Sequence, residues 1–368
     1  AKMGIDPFDI REMNCYKESE GSTIPTGYPP EVYCEEELFK TARPLYEAAK
    51  KRVAEKNAAS DGKIKYGIGV SLGVYGCGLD GVDTSNAFAE LNPDGTVTMY
   101  AAWEDHGQGA DMGVLVSSHE TLRQAGIRPE QIKLVMNDTK TCPDTGMAGA
   151  SRSLYMDGNA TIIAANKLLA AMRKEDGTLR TYDEMKAEGI ETKYLGRYET
   201  NTTPGLCRLD PNTGIGDPTP AFTYCLNLAE VEVDTKTGKT TVLKFTCVDF
   251  VGRIGNIDAV NGQAYSGIMH GIGFALKEDY ADVKKHANMF GAGTSYIKDV
   301  PDDINLIHID GAISDGPFGS SGASEAFQAS GHCAVLNGIY NACGVRIHEI
   351  PALPEKVKAG LDAIAKGE

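Results

Sequence analysis

The sequence predicts an α+β protein in which helices pack on mixed β-sheets. Two turn signals indicate the β part, because residues 92–95 (Asn-Pro-Asp-Gly) and 235–238 (Thr-Lys-Thr-Gly) each separate two runs with strand character. Apolar residues recur at helical spacing over about 34–57 and 154–173, which indicates the α part. Polar residues with many Gly, Pro and Thr fill 174–220, and we place a subdomain boundary at the end of this stretch.

The predicted elements can be placed in order along the chain. The first subdomain is expected to cover residues 1–220, with a helical entry segment over 1–60, and the second to cover 221–368. In order, we expect helix 34–57, strands 64–75, 86–92 and 96–103, helix 114–125, strand 131–137, helices 154–173 and 182–188, strands 222–233 and 240–249, a helix ending near 276, strand 304–309, a helix from 327 and a final helix within 351–366.

Composition narrows the classes of function. The 368 residues carry a net charge of −15 without a basic tract, which argues against nucleic acid and anionic membrane surfaces as partners. The sequence has no run of 18 apolar residues, so it predicts no membrane span. Nine scattered cysteines without a C-x-x-C pair indicate buried thiols in a reducing compartment rather than a disulfide or cluster framework. The chain begins at Ala1 with sequence typical of mid-chain, so we expect a fragment or a processed subunit.

Four loops rich in small residues stand out, and each comes directly before a predicted helix. They cover 104–113, 145–153, 261–267 and 316–325. One such turn is ordinary. Four in one protein suggest that several helix N-termini, with their unpaired N–H groups, converge on an extended anionic ligand.

The first loop contains His106, Gly107, Gln108, Gly109 and Ala110. Its glycines could let backbone N–H groups approach phosphate oxygens at the start of a helix. The spacing does not match a dinucleotide fingerprint, and no Lys follows as in a P-loop. The residues alone leave a phosphate cradle and a tight strand-to-helix turn equally open.

The second and third loops add polar side chains. Ser151, Arg152 and Ser153 could bind a phosphate or a carbonyl-rich ring, although these residues alone favour an N-cap serine beside a solvated arginine. Gln263 could donate to an oxo or carbonyl group and accept from a ring N–H, or it could be a surface residue of a helix.

The fourth loop carries one acid, Glu325, behind Ser321, Gly322 and Ala323. Glu325 stands where the loop becomes a helix. A carboxylate there could act as a general base. It could also simply suit the helix dipole, which is worth about 0.3–1 kcal/mol.

Several motifs together resemble the C-terminal half of the molybdenum-binding domain of the xanthine oxidase family, and in particular its bacterial aldehyde oxidoreductases. The resemblance covers the chain nearly from end to end and in order. The segments that carry it are 4–14, 106–109, 229–234 with 237–238, 252–253 with 262–263, 271–276, 316–319, 322–325 and 351–356. Two positions depart from the family pattern, because Ser324 replaces a frequent Gly and Phe250 replaces a usual Asp.

The resemblance implies a cofactor, molybdenum held by molybdopterin, in bacteria usually as the cytosine dinucleotide. The protein is expected to give the metal no direct side-chain ligand. His106 to Ala110, Ser151 to Ser153, Gln263 and Ser321 to Ala323 are expected to bind the cofactor, and Glu325 to act as the catalytic base. The implied fold is α+β, with mixed sheets, packed helices, and two subdomains whose Gly-rich loops converge on a buried cofactor.

The implied reaction is the oxidation of small aldehydes to carboxylic acids with water as the oxygen source. Electrons are expected to pass to [2Fe–2S] clusters outside this chain, in iron–sulfur domains or subunits, and the N-terminal part of the molybdenum domain is also expected as a partner. We expect a homo-oligomer such as a dimer in the cytoplasm, with a periplasmic location left open. Two alternatives remain: a purine or N-heterocycle hydroxylase, for which Arg152 is the one suggestive residue, and a non-catalytic half-domain that needs a partner chain.

Overall fold

The computed structural model describes residues 3–79, 81–200 and 209–367. Its helices are α1 Pro7–Met13, α2 Glu35–Ala59, α3 Ala110–Leu122, α4 Ser153–Met172, α5 Tyr182–Ala187, α6 Ile257–Leu276, α7 Met289–Ala292, α8 Ala326–Ala329, α9 Gly331–Cys343 and α10 Pro354–Lys366. Its strands are β1 Ile64–Cys77, β2 Asp83–Leu91, β3 Val97–Ala101, β4 Ile132–Met136, β5 Lys193–Thr200, β6 Ala221–Asp234, β7 Thr240–Phe250 and β8 Asp303–His308.

The strands form two mixed, four-stranded sheets, which confirms the predicted α+β class. The β1 sheet has the order β1-β6-β7-β8, with antiparallel pairs except for β7 and β8, which are parallel. The β2 sheet has the order β4-β3-β2-β5, with a parallel β3–β4 pair and otherwise antiparallel pairs. Both predicted hairpin turns are confirmed, because β2 pairs with β3 and β6 pairs with β7.

Several details differ from the expectations, and one is that the helix predicted from 327 is divided at Ser330 into α8 and α9. The stretch 174–220 was expected to hold loops and one short helix, but β5 also lies there and pairs with β2 along its whole length. The predicted loop at 261–267 is wrong, because α6 begins at Ile257, where the Asn256 side chain accepts a hydrogen bond from the Ala259 N–H. The β1 sheet also contains strands from both sides of the boundary predicted at residue 220, since β1 pairs with β6. The boundary itself stays a prediction. Residues 201–208 lie outside the described part.

Two helices lie unusually close to the sheets because glycines leave room for them. A Cβ on Gly69 of β1 would overlap the backbone of α9, and a Cβ on Gly196 of β5 would overlap the backbone of α4. Close approach of this kind requires glycine, which has no side chain at the contact. Helix α4, which follows the loop at 145–153, and helix α9, which follows α8, are therefore each fixed against a different sheet.

The structure also bears on the predictions about membrane spans and cysteines. No helix within the described ranges is both long and apolar enough to span a bilayer. The cysteines that the structure describes are free thiols, mostly buried, and Cys207 lies outside these residues.

Asp157 on α4 gives a testable pH dependence. Its carboxyl group is 2% exposed and accepts a hydrogen bond from the Ser85 hydroxyl. Burial raises the pKa of Asp157 to about 7. The folded state therefore keeps a proton that the unfolded chain releases near its ordinary pKa of 3.8, so this group's contribution to stability falls as pH rises from about 4 to 7.

We expect Asp157→Asn, which mimics the protonated acid, to raise the melting temperature relative to wild type at pH 8 more than at pH 5. The gain corresponds to about 1–3 kcal/mol. Asp176→Asn is the control, because this exposed acid has a lowered pKa and accepts a hydrogen bond from the Thr178 N–H, so no gain is expected at either pH. An equal shift for Asp157→Asn at both pH values would contradict the assignment.

Candidate functional site

The small-residue segments surround a cavity of about 890 Å³. Its walls come from the end of β3 with the start of α3, the loop before α4, residues 251–256 with the first half of α6, and residues 312–325. Three helices, α3, α4 and α6, thus begin at this cavity. Helix N-termini present unpaired N–H groups and the positive end of the helix dipole, so the cavity suits an anionic ligand.

Most of the residues predicted from the sequence are brought together here. Those that line the cavity are His106, Gln108, Gly109, Ala110, Ser151, Ser153, Gln263, Ser321, Gly322, Ala323 and Glu325. Gly107 and Arg152 are not among the lining residues. Gln263 reaches the cavity from within α6 rather than from a loop at its start.

Glu325 is held by a reciprocal pair of hydrogen bonds with Ser151. The Ser151 hydroxyl donates to Glu325 Oε2 at 2.5 Å and accepts from the Glu325 N–H at 3.2 Å. The side chain of Glu325 is half-buried and has no Lys, Arg or His within ion-pair distance among the described residues. Because neutral donors orient the carboxylate without a salt bridge, it remains able to accept a proton from a ligand in the cavity.

Backbone geometry fixes the loop that carries Ser151. Ala150 and Ser151 both have φ of 51°, which is rare for residues with a side chain and costs on the order of 1–3 kcal/mol each. A Cβ on Gly322 would overlap the Ser151 carbonyl oxygen, so the two loops touch through their backbones. The close contact explains why glycine occupies position 322.

The end of β1 also reaches this site, which the sequence analysis missed. The Cys77 thiol donates to the Gly322 carbonyl oxygen at 3.1 Å, and the Gly78 N–H donates to the Ala150 oxygen at 2.9 Å. Burial raises the pKa of Cys77 to about 11, so this thiol stays neutral. Burial, together with the neighbouring Glu325 carboxylate, also raises the pKa of Tyr75. Strand alternation alone does not distinguish these positions from ordinary sheet residues.

Arg152 has a structural role that the sequence analysis did not foresee. Its guanidinium is 1% exposed and donates to both carboxylate oxygens of Asp83, at 2.7 and 2.9 Å. It also donates to the carbonyl oxygens of Thr84, Thr145 and Met147 at 2.8–3.1 Å. These bonds use all five donors of the guanidinium. Arg152 therefore shapes the wall of the cavity, and a direct contact with a ligand has no support in this geometry.

The loop before α3 is less open than expected. Asp105 Oδ1 accepts hydrogen bonds from the N–H groups of Gly107 and Gly109, which lower the pKa of Asp105 although burial opposes them. The Gln108 side chain accepts from the His106 N–H and donates to the Glu104 oxygen. The predicted phosphate cradle of loop amides is thus occupied by the loop's own side chains, and a ligand would meet the first turn of α3 instead.

Several polar side chains of the wall lack partners among the described residues, including the Ser321 hydroxyl. The Trp103 indole is 3% exposed, and its Nε1–H has no hydrogen-bond acceptor among the described residues. The Gln263 side chain forms no hydrogen bond with any residue that the structure describes. Buried or converging donors without partners are a feature of ligand sites. No three His, Cys, Asp or Glu side chains of the described chain lie close enough to hold a metal ion.

The fold and the cavity together define a domain that binds an extended anionic cofactor beside an acid. The chain matches the model of the molybdopterin cofactor-binding domain over residues 41–301. It is 44% identical over 362 residues to the aldehyde oxidoreductase of Megalodesulfovibrio gigas, which covers 98% of this chain and 39% of that protein. A crystal structure of the aldehyde oxidoreductase from Desulfovibrio desulfuricans has a TM-score of 0.93 at 49% identity, over 98% of this chain and 38% of that one.

A more distant structure shares the fold alone. Quinoline 2-oxidoreductase from Pseudomonas putida has a TM-score of 0.79 at 21% identity, over 98% of this chain and 50% of that one.

The chain belongs to the family of molybdopterin cofactor-binding domains, and the resemblance to the xanthine oxidase family is confirmed. It spans about two fifths of the length of the Megalodesulfovibrio protein.

The contact between Gly322 and Ser151 can be tested by a pair of glycine substitutions. We expect Gly322→Ala to lower the free energy of unfolding by about 1–3 kcal/mol, because the new methyl group must displace backbone. Gly262→Ala is the matched control, since a Cβ there meets nothing within 4 Å and alanine favours the helix by about 1 kcal/mol. Equal stability of the two variants in thermal unfolding would contradict the contact.

Proposed function

We propose that this chain holds a molybdopterin cofactor and supplies the catalytic base of a molybdenum hydroxylase that oxidises small aldehydes to carboxylic acids. The observation that carries the proposal is the geometry of Glu325, which Ser151 fixes at the wall of a cavity bounded by three helix N-termini. The reaction converts an aldehyde and water to a carboxylic acid with release of two electrons and two protons. When bound, the molybdenum cofactor supplies the two-electron oxidising power.

The cavity fits such a cofactor in charge and in chemistry. Gln263 and Trp103 offer an amide and an indole N–H without partners, which suit the ring atoms of a pterin. Hydroxyl groups of Ser153 and Ser324 add neutral donors along the wall. The cytosine dinucleotide form would place its phosphates near the helix N-termini, whose dipoles favour negative charge.

Glu325 would take the proton that water loses as its oxygen becomes bonded to the aldehyde carbon. A general base must lie within hydrogen-bond reach of that proton, and a carboxylate on the cavity wall meets this condition. The Ser151 hydroxyl keeps Glu325 Oε2 oriented, which leaves Oε1 as the acceptor for the ligand. Holding the base in one orientation lowers the entropy cost of the step.

The complete reaction would also need regions outside this chain. Electrons would leave to [2Fe–2S] clusters in other domains or subunits, and the N-terminal part of the molybdenum domain would complete the substrate pocket. A homo-oligomer in the cytoplasm remains our expectation. The N-heterocycle alternative has lost its one supporting residue, because the donors of Arg152 are all used inside the protein.

Glu325→Gln tests the assignment of the base. The amide keeps the shape of the side chain but cannot accept the proton, so turnover of an aldehyde should fall by about 10²–10⁴-fold. The contents of molybdenum and pterin should stay at the wild-type level. Glu120→Gln is the control in the same cavity, because the Glu120 carboxylate is paired with Arg123 and lies outside the Ser151 contact. Wild-type turnover in Glu325→Gln would refute the proposal for this residue.

A further inference from the structure

Arg253 is a charged residue of the cavity that the proposed mechanism does not use. The side chains of the lining that can carry charge are His106, Glu120, Arg253 and Glu325, so Arg253 is the sole Lys or Arg among the described lining residues. It is exposed, and no carboxylate of the described chain lies within 4.0 Å of it. An unpaired guanidinium at a cavity wall is available to a ligand.

The backbone of Arg253 is fixed although its side chain is free. Its N–H donates to the Gly319 oxygen at 2.8 Å, and the preceding Gly252 forms an isolated bridge with Ser320. Gly252 has φ of 75°, and a Cβ there would come within 2.7 Å of the Gly319 oxygen. The position of Arg253 is therefore set by the same 316–325 segment that ends at Glu325.

Two helix N-termini adjoin Arg253. Helix α6, of 20 residues, begins at Ile257, four positions further along the chain. Helix α3, of 13 residues, begins next to it, since a Cβ on Gly109 would lie 4.0 Å from Ala259 and one on Gly255 would lie 3.6 Å from Val116. The dipoles of both helices favour negative charge at this point, and Arg253 adds a full positive charge.

The overall charge of the protein makes this cation important. A chain with a net charge of −15 repels a phosphate-bearing ligand at long range. A planar guanidinium binds two phosphate oxygens at once, which adds both energy and orientation. Three carboxylates adjoin these N-termini, since Asp111 and Asp258 stand in the first turns of α3 and α6, and Asp105 accepts from the Gly107 and Gly109 N–H groups. Arg253 supplies the positive charge that offsets them.

We infer that Arg253 anchors the pyrophosphate group of a dinucleotide cofactor between the N-termini of α3 and α6. The identity of the cofactor rests on the proposed function, whereas the anion site rests on the cavity itself. Arg253 thus selects for the phosphate-bearing end of the ligand.

Titration with inorganic pyrophosphate in a calorimeter tests the anion site directly. The protein is produced in a host that makes no molybdenum cofactor. Arg253→Gln should weaken binding by about 10–100-fold, the range of one charge-assisted bidentate contact, and Arg253→Lys should fall between this variant and wild type. Arg173→Gln is the matched control, because this exposed arginine at the other end of α4 has no ion pair within the described residues.

The control should bind pyrophosphate as wild type does. Equal affinities of wild type and Arg253→Gln would overturn the inference, as would wild type that fails to bind pyrophosphate at millimolar concentration. A steeper loss of affinity with added salt in wild type than in Arg253→Gln would support it further.

The metal content of the same proteins from a cofactor-producing host separates this inference from the proposed function. Wild type without molybdenum, but with pyrophosphate binding that depends on Arg253, would refute the proposed function and leave the anion site intact. Wild type that contains molybdenum, with an Arg253→Gln variant that retains both full cofactor and full pyrophosphate affinity, would refute the anchor and leave the function intact.

Discussion

The site depends on the contact between two loops that start helices on different sheets. Ser151, before α4, hydrogen-bonds both the carboxylate and the backbone N–H of Glu325, before α8. Gly322 brings the backbones of the same loops together, because any side chain at this position would overlap the Ser151 carbonyl. This contact joins Glu325, whose loop lies beside the β1 sheet, to the N-termini of α3 and α4, which pack on the β2 sheet.

The rest of the fold supports this contact from both sides. Gly196 lets α4 lie directly on β5, and Gly69 lets α9 lie directly on β1, so neither helix can slide without losing close packing. The buried Arg152 ties the Ser151 loop to the start of β2 with three hydrogen bonds, to Asp83 and Thr84, and donates two more within the loop, to Thr145 and Met147. These bonds offset the cost of the two left-handed residues beside it. Local strain in the loop is thus maintained by its surroundings.

Much of this arrangement could be predicted from the sequence, and the misses have physical causes. Periodicity located the long helices and the hairpins, and the small-residue loops located Glu325 and most of the cavity wall. The strand β5 was missed because Gly, Arg and Glu interrupt its apolar pattern, although pairing with β2 stabilises it. The inward turn of Arg152 depends on Asp83, far away in the sequence, and no local pattern encodes that distance. The start of α6 was misplaced because Asn261, Gly262 and Gln263 interrupt the apolar pattern after its first turn.

The central claim is that the cavity holds a molybdenum cofactor with a dinucleotide. The most direct measurement is the molar ratio of molybdenum, pterin and released cytidine monophosphate to polypeptide, determined after purification from a host that makes the cofactor. The account predicts all three at close to one per chain. Protein that is folded by circular dichroism yet contains neither molybdenum nor pterin would contradict it.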